Sequence, residues 1–137
     1  EMCIRDSGNL TEGHYLTFEK DGKALQHKGH KLSLTNACND HDGKDMRFVL
    51  WWQGKNPKDN AFYISTADKH DRKYIASSLE LTTKEKAAQF SIADLGNGKG
   101  HVITEIDSGK QLSVEKDGCV ALTKNASDAF KVFSVTF

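Results

Sequence analysis

The densest group of side chains that could do chemistry lies in one short segment, in which Asp40, His41 and Asp42 follow one another. Asp40 and Asp42 are spaced like the first carboxylates of a calcium-binding loop. The pattern then fails, because Lys44 takes a ligand position and Trp51 stands where the bidentate glutamate belongs. The segment is predicted to be either a solvated loop or a functional loop that binds a metal or another ligand.

Two adjacent aromatic residues follow this segment, and Trp51 and Trp52 are the only tryptophans of the chain. On a strand their side chains would point to opposite faces. One would then join the core, while the other would be exposed and could stack on a sugar ring. The alternative is partial burial beneath a loop. With Asp40, His41 and Asp42, the two tryptophans form the candidate ligand-binding set.

Catalytic motifs are absent from the sequence. It contains no G-x-S-x-G elbow, no P-loop, no G-x-G-x-x-G fingerprint and no H-E-x-x-H. The six histidines are scattered, and His27 with His30 would not make a zinc site without further ligands. We therefore expect no catalytic residue, no cofactor and no metal ligand, and we expect that this part of the protein is not an enzyme.

Length and charge narrow the class of protein. The chain has 137 residues, with 19 basic and 19 acidic side chains. This length allows one domain with a hydrophobic core. The balanced charge argues against a nucleic-acid partner, which requires a concentrated basic field. No apolar run approaches the roughly 20 residues of a membrane span.

Internal repeats are the strongest structural signal. Residues 62–94 and 101–135 each contain four short pieces in the same order, and each piece alternates apolar with polar residues as a half-buried strand does. The matched positions are the second-piece residues Leu16, Ile75 and Leu112, the third-piece residues Leu34, Leu81 and Leu122, and the closing Phe48, Phe90 and Phe130. The leucines and phenylalanines at these positions are predicted to form the core.

The N-terminal third repeats only three of the four pieces. His14, Tyr15 and Leu16 match the second piece, and nothing before them matches the first. The turn sequence Glu-Lys-Asp-Gly, at 19–22 and again at 115–118, supports this register, because Asp-Gly is favoured in tight hairpins. The first strand is therefore predicted to have been lost by N-terminal truncation.

Three copies of a four-stranded unit of about 40 residues are typical of a β-trefoil or of three propeller blades. A propeller needs about four blades or more, whereas a trefoil needs three units. We therefore predict an all-β fold, namely a β-trefoil of three four-stranded repeats at about 8–54, 55–98 and 99–137. These repeats form a single domain over residues 8–137.

The first seven residues are set apart from this domain. Residues 2–7 resemble a translated sequencing adapter of the kind found at the ends of reading frames assembled from environmental DNA, so the chain is predicted to be a fragment. The alternative is a genuine N-terminus. If the first seven residues and their Cys3 are set aside, Cys38 and Cys119 are the remaining cysteines. They form either a disulfide or two buried thiols, and sequence spacing does not decide between these alternatives.

Residues 62–137 resemble the C-terminal domain of fungal secreted phospholipases C of the phosphoesterase family. The resemblance rests on irregular stretches as well as on the strand pattern, among them residues 86–92, 94–100, 108–110, 116–118 and 133–137. It implies an extracellular protein whose catalytic residues belong to an upstream domain. None of those catalytic residues can be assigned to this chain.

Three functional classes follow from these observations. The first is a non-catalytic C-terminal accessory or binding module of a secreted phospholipase C-like enzyme, with the upstream catalytic domain as its partner and a carbohydrate or cell-surface ligand. The second is a free-standing β-trefoil lectin or inhibitor, and the third is a fascin-like structural trefoil. A ricin-like sugar site is disfavoured, because the Gln-x-Trp pattern is replaced at residues 90–92 and 130–132.

Overall fold

The described residues of the chain fold mainly into β-strands, in a computed structural model that describes residues 4–6, 15–28, 31–36, 46–56, 58–68, 70–115, 119–124 and 128–136. The all-β expectation is confirmed. The strands are β1 Ile4–Asp6, β2 Tyr15–Lys20, β3 Lys23–Lys28, β4 Lys31–Asn36, β5 Phe48–Trp52, β6 Phe62–Thr66, β7 Tyr74–Ile75, β8 Leu81–Thr82, β9 Phe90–Asp94, β10 His101–Glu105, β11 Gln111–Val114, β12 Val120–Thr123 and β13 Lys131–Thr136. A single 3-10 turn at Lys84–Lys86 separates β8 from β9. Within these described ranges, no helix has the length and apolar character needed to cross a membrane.

The long strands pair with antiparallel neighbours in the order β13, β2, β5, β6, β9 and β10. An isolated bridge also links His101, the first residue of β10, to Phe130, which directly precedes β13. Each of these two residues donates its backbone N–H to the carbonyl oxygen of the other, at 2.7 and 2.8 Å. β1 lies against the end of β13, with Ile4 opposite Thr136.

Three hairpins branch from these strands: β3 with β4, β7 with β8, and β11 with β12. One apolar pair lies directly across each hairpin. The three pairs are Leu25 with Leu34, Ile75 with Leu81, and Leu112 with Leu122. The hairpins thus share one register, which directs equivalent side chains toward the core.

The structure corrects the predicted alignment of the N-terminal third. Four strands, β2 to β5, lie between residues 15 and 52, so the prediction that the first strand of this unit is missing is wrong. Leu16 belongs to the first of these strands, and the position matched to Ile75 and Leu112 is held by Leu25. The alignment was wrong because it matched the two Glu-Lys-Asp-Gly sequences to each other. Residues 19–22 end β2 and lead into β3, whereas residues 115–118 fall between β11 and β12.

The predicted core is confirmed for its closing phenylalanines and only in part for the third-piece leucines. Phe48, Phe90 and Phe130 are at most 1% exposed, and together with apolar residues of every hairpin they form one cluster. The matched leucines, Leu34, Leu81 and Leu122, are half-buried and pack against this cluster rather than inside it. Alternation of burial within the strands, as in β9, accounts for the sequence pattern that predicted them.

Candidate functional site

An open cleft of about 470 Å³ lies between the second and third hairpins. Its walls are formed by residues 77–79, which connect β7 to β8, and by residues 120–122 of β12. The lining is completed by Glu105, at the end of β10, and by Ser108 and Lys110, which follow this strand. The volume falls within the range of about 300–1,000 Å³ that is typical of small-molecule sites.

The second hairpin, beside the cleft, is short. β7 and β8 have two residues each, whereas β3 and β4 have six. On its other side the third hairpin reaches the first, where a backbone bridge joins Ser33 to Cys119. The third hairpin is therefore held by the first hairpin and stands apart from the second.

The turn of the second hairpin is fixed by Leu79. Its backbone has φ of 65°, a left-handed conformation that is uncommon for a residue other than glycine. The turn is closed by the Leu79 N–H, which donates to the Ala76 carbonyl at 2.8 Å, and by the Ala76 N–H, which donates to the Glu80 carbonyl at 2.9 Å. Because the Leu79 side chain is buried in the core, this wall of the cleft is anchored.

Glu105 supplies the acidic group of the cleft. It ends β10 on the inward-facing row that also contains Ile103, and its side chain is only 5% exposed. The Ser108 hydroxyl donates to its Oε1 at 2.5 Å, and the Lys110 N–H donates to the Ser108 Oγ at 3.2 Å. The turn is tight because Gly109, at φ of 72°, allows its N–H to reach the Glu105 carbonyl at 2.9 Å.

These groups suit a small polar ligand. The cleft combines a carboxylate, the hydroxyls of Ser77, Ser78 and Ser108, and the Lys110 ammonium with an aliphatic wall along residues 120–122. Hydroxyls and carboxylates provide donors and acceptors for a ligand rich in hydroxyl groups. The aliphatic wall provides contact for its carbon skeleton.

The Trp51 side chain is half-buried and contacts other residues of its own chain. Its indole N–H donates to the Ser65 Oγ at 2.7 Å, and the Ser65 hydroxyl donates to the Thr66 carbonyl at 3.0 Å. The guanidinium carbon of Arg72 lies 4.6 Å from the centroid of the Trp51 ring, which is a cation–π contact. One face of this ring is therefore occupied by Arg72.

Trp52 points the opposite way, as expected for adjacent residues of a strand, and is 36% exposed. Its indole N–H donates to the Asp59 carbonyl at 2.9 Å. Gly54 lies so close that a Cβ there would come within 2.7 Å of the ring. The residues after β5 thus cover part of Trp52, and neither tryptophan lines the cleft.

The remaining candidates from the sequence, Asp40, His41 and Asp42, lie outside the described residues, as does Cys38. Among the residues that are described, no group of three or more histidine, cysteine or acidic side chains could hold a metal ion. Glu105 was not among the candidate residues predicted from the sequence. A signal for it existed, because the alternation of β10 places this carboxylate on the same row as Ile103.

No family model matches the chain, and no curated protein matches it either. The resemblance of residues 62–137 to secreted phospholipases C stays a prediction. The cleft, in contrast, is defined by the geometry of the described residues alone.

Proposed function

We propose that the chain is a non-catalytic binding module with a β-trefoil fold, and that its cleft holds a carbohydrate. A trefoil consists of six barrel strands and three hairpins that cap the barrel. The pairing order from β13 to β10, with the His101–Phe130 bridge between its two ends, supports the barrel. The hairpins β3–β4, β7–β8 and β11–β12 match the cap.

The pairings between units support the same threefold arrangement. One pair of apolar residues recurs where each unit ends and the next one begins. These pairs are Leu50 with Ile64, Ile92 with Ile103, and Val132 with Phe18. All six side chains are buried, as the inner layer of a barrel requires.

The observation that carries the binding function is the open cleft beside β12. It lies beside the second hairpin, whose two strands have two residues each. Its hydroxyls and its carboxylate offer a carbohydrate the hydrogen-bonding partners that hydroxyl groups need, and Val120 and Leu122 offer an apolar contact.

On the resemblance of residues 62–137 to secreted phospholipases C, we propose that this module follows a catalytic domain in an extracellular enzyme. In that setting the module would bring the enzyme to a glycan-bearing surface, and hydrolysis would take place upstream. A free-standing lectin would use the same cleft. The reading frame upstream of the chain discriminates between the two, because only the accessory module requires a phosphoesterase domain there.

Calorimetric titration of the chain with neutral and amino monosaccharides tests the binding function. Ala121→Trp would fill the cleft, and we expect it to weaken saccharide binding about tenfold or more. Ala93→Trp is the matched control, since Ala93 is exposed on β9 away from the cleft, and we expect it to leave binding unchanged. Absence of binding by every saccharide, or equal binding by both variants, would contradict the proposal.

A further inference from the structure

The carboxylate of Glu105 carries a charge that the described part of the chain does not balance with an ion pair. The side chain is 5% exposed, and its hydrogen-bond donor is the neutral hydroxyl of Ser108. The ion pairs of the described residues involve Lys20 and Lys73 rather than Glu105. An ionised carboxylate can accept about four hydrogen bonds, so it retains capacity for a ligand.

Because the Glu105 carboxylate is buried, it favours a ligand that compensates its negative charge. A carboxylate removed from water is costly unless a cation or several donors compensate it. Lys110 lines the same cleft, but it is exposed, and salt and water screen the charge of an exposed ammonium strongly. Glu105 is therefore the buried charged group among the residues that line the cleft, and Lys110 is the exposed one.

We propose that the cleft selects a saccharide with a free amine, that is, an amino sugar, over neutral sugars. The proposal rests on the binding function proposed above. The sugar ammonium would donate to Glu105, while the ring hydroxyls would meet Ser77, Ser78 and Ser108. A charge-assisted hydrogen bond is about twice as strong as a neutral one, so the amine distinguishes the ligands.

Titration calorimetry with glucosamine, glucose and N-acetylglucosamine in a neutral buffer tests this selectivity. Glucosamine is expected to bind about tenfold or more tightly than the other two, in which the ammonium is absent or acetylated. Glu105→Gln keeps an acceptor but removes the charge, and it is expected to abolish the preference, so that glucosamine then binds no more tightly than glucose. Glu115→Gln, at an exposed position after β11, is the matched control and should retain the preference.

The outcomes separate the two proposals. Binding of glucose as tight as that of glucosamine would overturn the amino-sugar selectivity and leave carbohydrate binding intact. Lack of binding by all three sugars would overturn carbohydrate binding itself. Propylamine that binds as tightly as glucosamine would also overturn the selectivity, because the sugar hydroxyls would then contribute nothing. If Glu105→Gln fails to fold, the comparison of the three sugars on the unsubstituted chain still shows whether glucosamine is preferred.

Discussion

At the scale of single residues, Asp59 fixes the loop that covers Trp52. Its carboxylate accepts the backbone N–H groups of Lys55 and Asn56, at 2.8 and 2.9 Å, and its carbonyl accepts the Trp52 indole. The sequence leaves open the stacking of a sugar on an exposed tryptophan. These contacts could not be predicted from the sequence, because they depend on how the residues after β5 turn back over the ring.

The two backbone hydrogen bonds, from Asn56 and then Lys55, lower the pKa of Asp59 below its ordinary value of 3.8. Because the folded-state pKa is the lower one, Asp59 stabilises the fold fully above its unfolded-state pKa, and this contribution is lost as pH falls through the folded-state pKa. We expect thermal unfolding to show that Asp59→Ala destabilises the chain at neutral pH and that the difference shrinks as pH falls below about 4. A difference that stays constant down to strongly acidic pH would show that the ionised carboxylate does not hold the loop.

At the scale of elements, Asn60 extends the pairing of β6 with β9. Phe62 lies opposite Phe90, and beyond this pair the Asn60 side chain replaces a strand residue. Its Nδ2 donates to the Ile92 carbonyl at 2.8 Å, and its Oδ1 accepts the Ile92 N–H at 2.9 Å. A single amide thus satisfies both backbone groups of one residue in β9.

Replacing this amide should loosen the junction between the two strands. Asn60→Ala removes both hydrogen bonds, and we expect it to lower the free energy of unfolding by about 1–3 kcal/mol in urea denaturation. Asn56→Ala is the matched control, because the exposed Asn56 takes part in its loop through its backbone groups, and it should change stability by less than about 0.5 kcal/mol. Equal effects of the two substitutions would contradict the role of Asn60.

The strands of the C-terminal two thirds were predictable because their apolar residues alternate and recur. The first hairpin was not predictable, because β3 is bounded by lysines and contains one large apolar residue, Leu25, which the alignment did not match to the other repeats. The identical turn sequences favoured an alignment in which Leu16, instead of Leu25, was matched to Ile75 and Leu112. Only the pairing of Leu25 with Leu34 shows which strand is which, and pairing depends on contacts that the local sequence does not determine.

At the scale of the whole molecule, three phenylalanines meet in one buried cluster. Phe48 begins β5, Phe90 begins β9 and Phe130 directly precedes β13. Phe130 is also the residue through which β13 is bridged to β10. The repeat spacing predicted these positions, because a core shared by three units needs the same side chain from each of them.

Replacement of any one of these three phenylalanines by alanine should therefore lower the free energy of unfolding by a similar amount. We expect Phe48→Ala, Phe90→Ala and Phe130→Ala each to lower the free energy of unfolding by about 3–5 kcal/mol. Phe62→Ala is the comparison, since Phe62 is half-buried at the start of β6, and its cost should be smaller. Urea denaturation measures all four, and a cost for Phe62 equal to that of the buried three would contradict this description of the core.

The central claim is that a carbohydrate binds in the cleft between the second and third hairpins. Nuclear magnetic resonance of the ¹⁵N-labelled chain, titrated with glucose and with glucosamine, tests it directly. We predict that the amide signals that shift belong to residues 77–79, 105–110 and 120–122, and that those of Trp52 and the loop after it stay in place. Shifts centred on Trp52, or no shifts with either sugar, would contradict the claim.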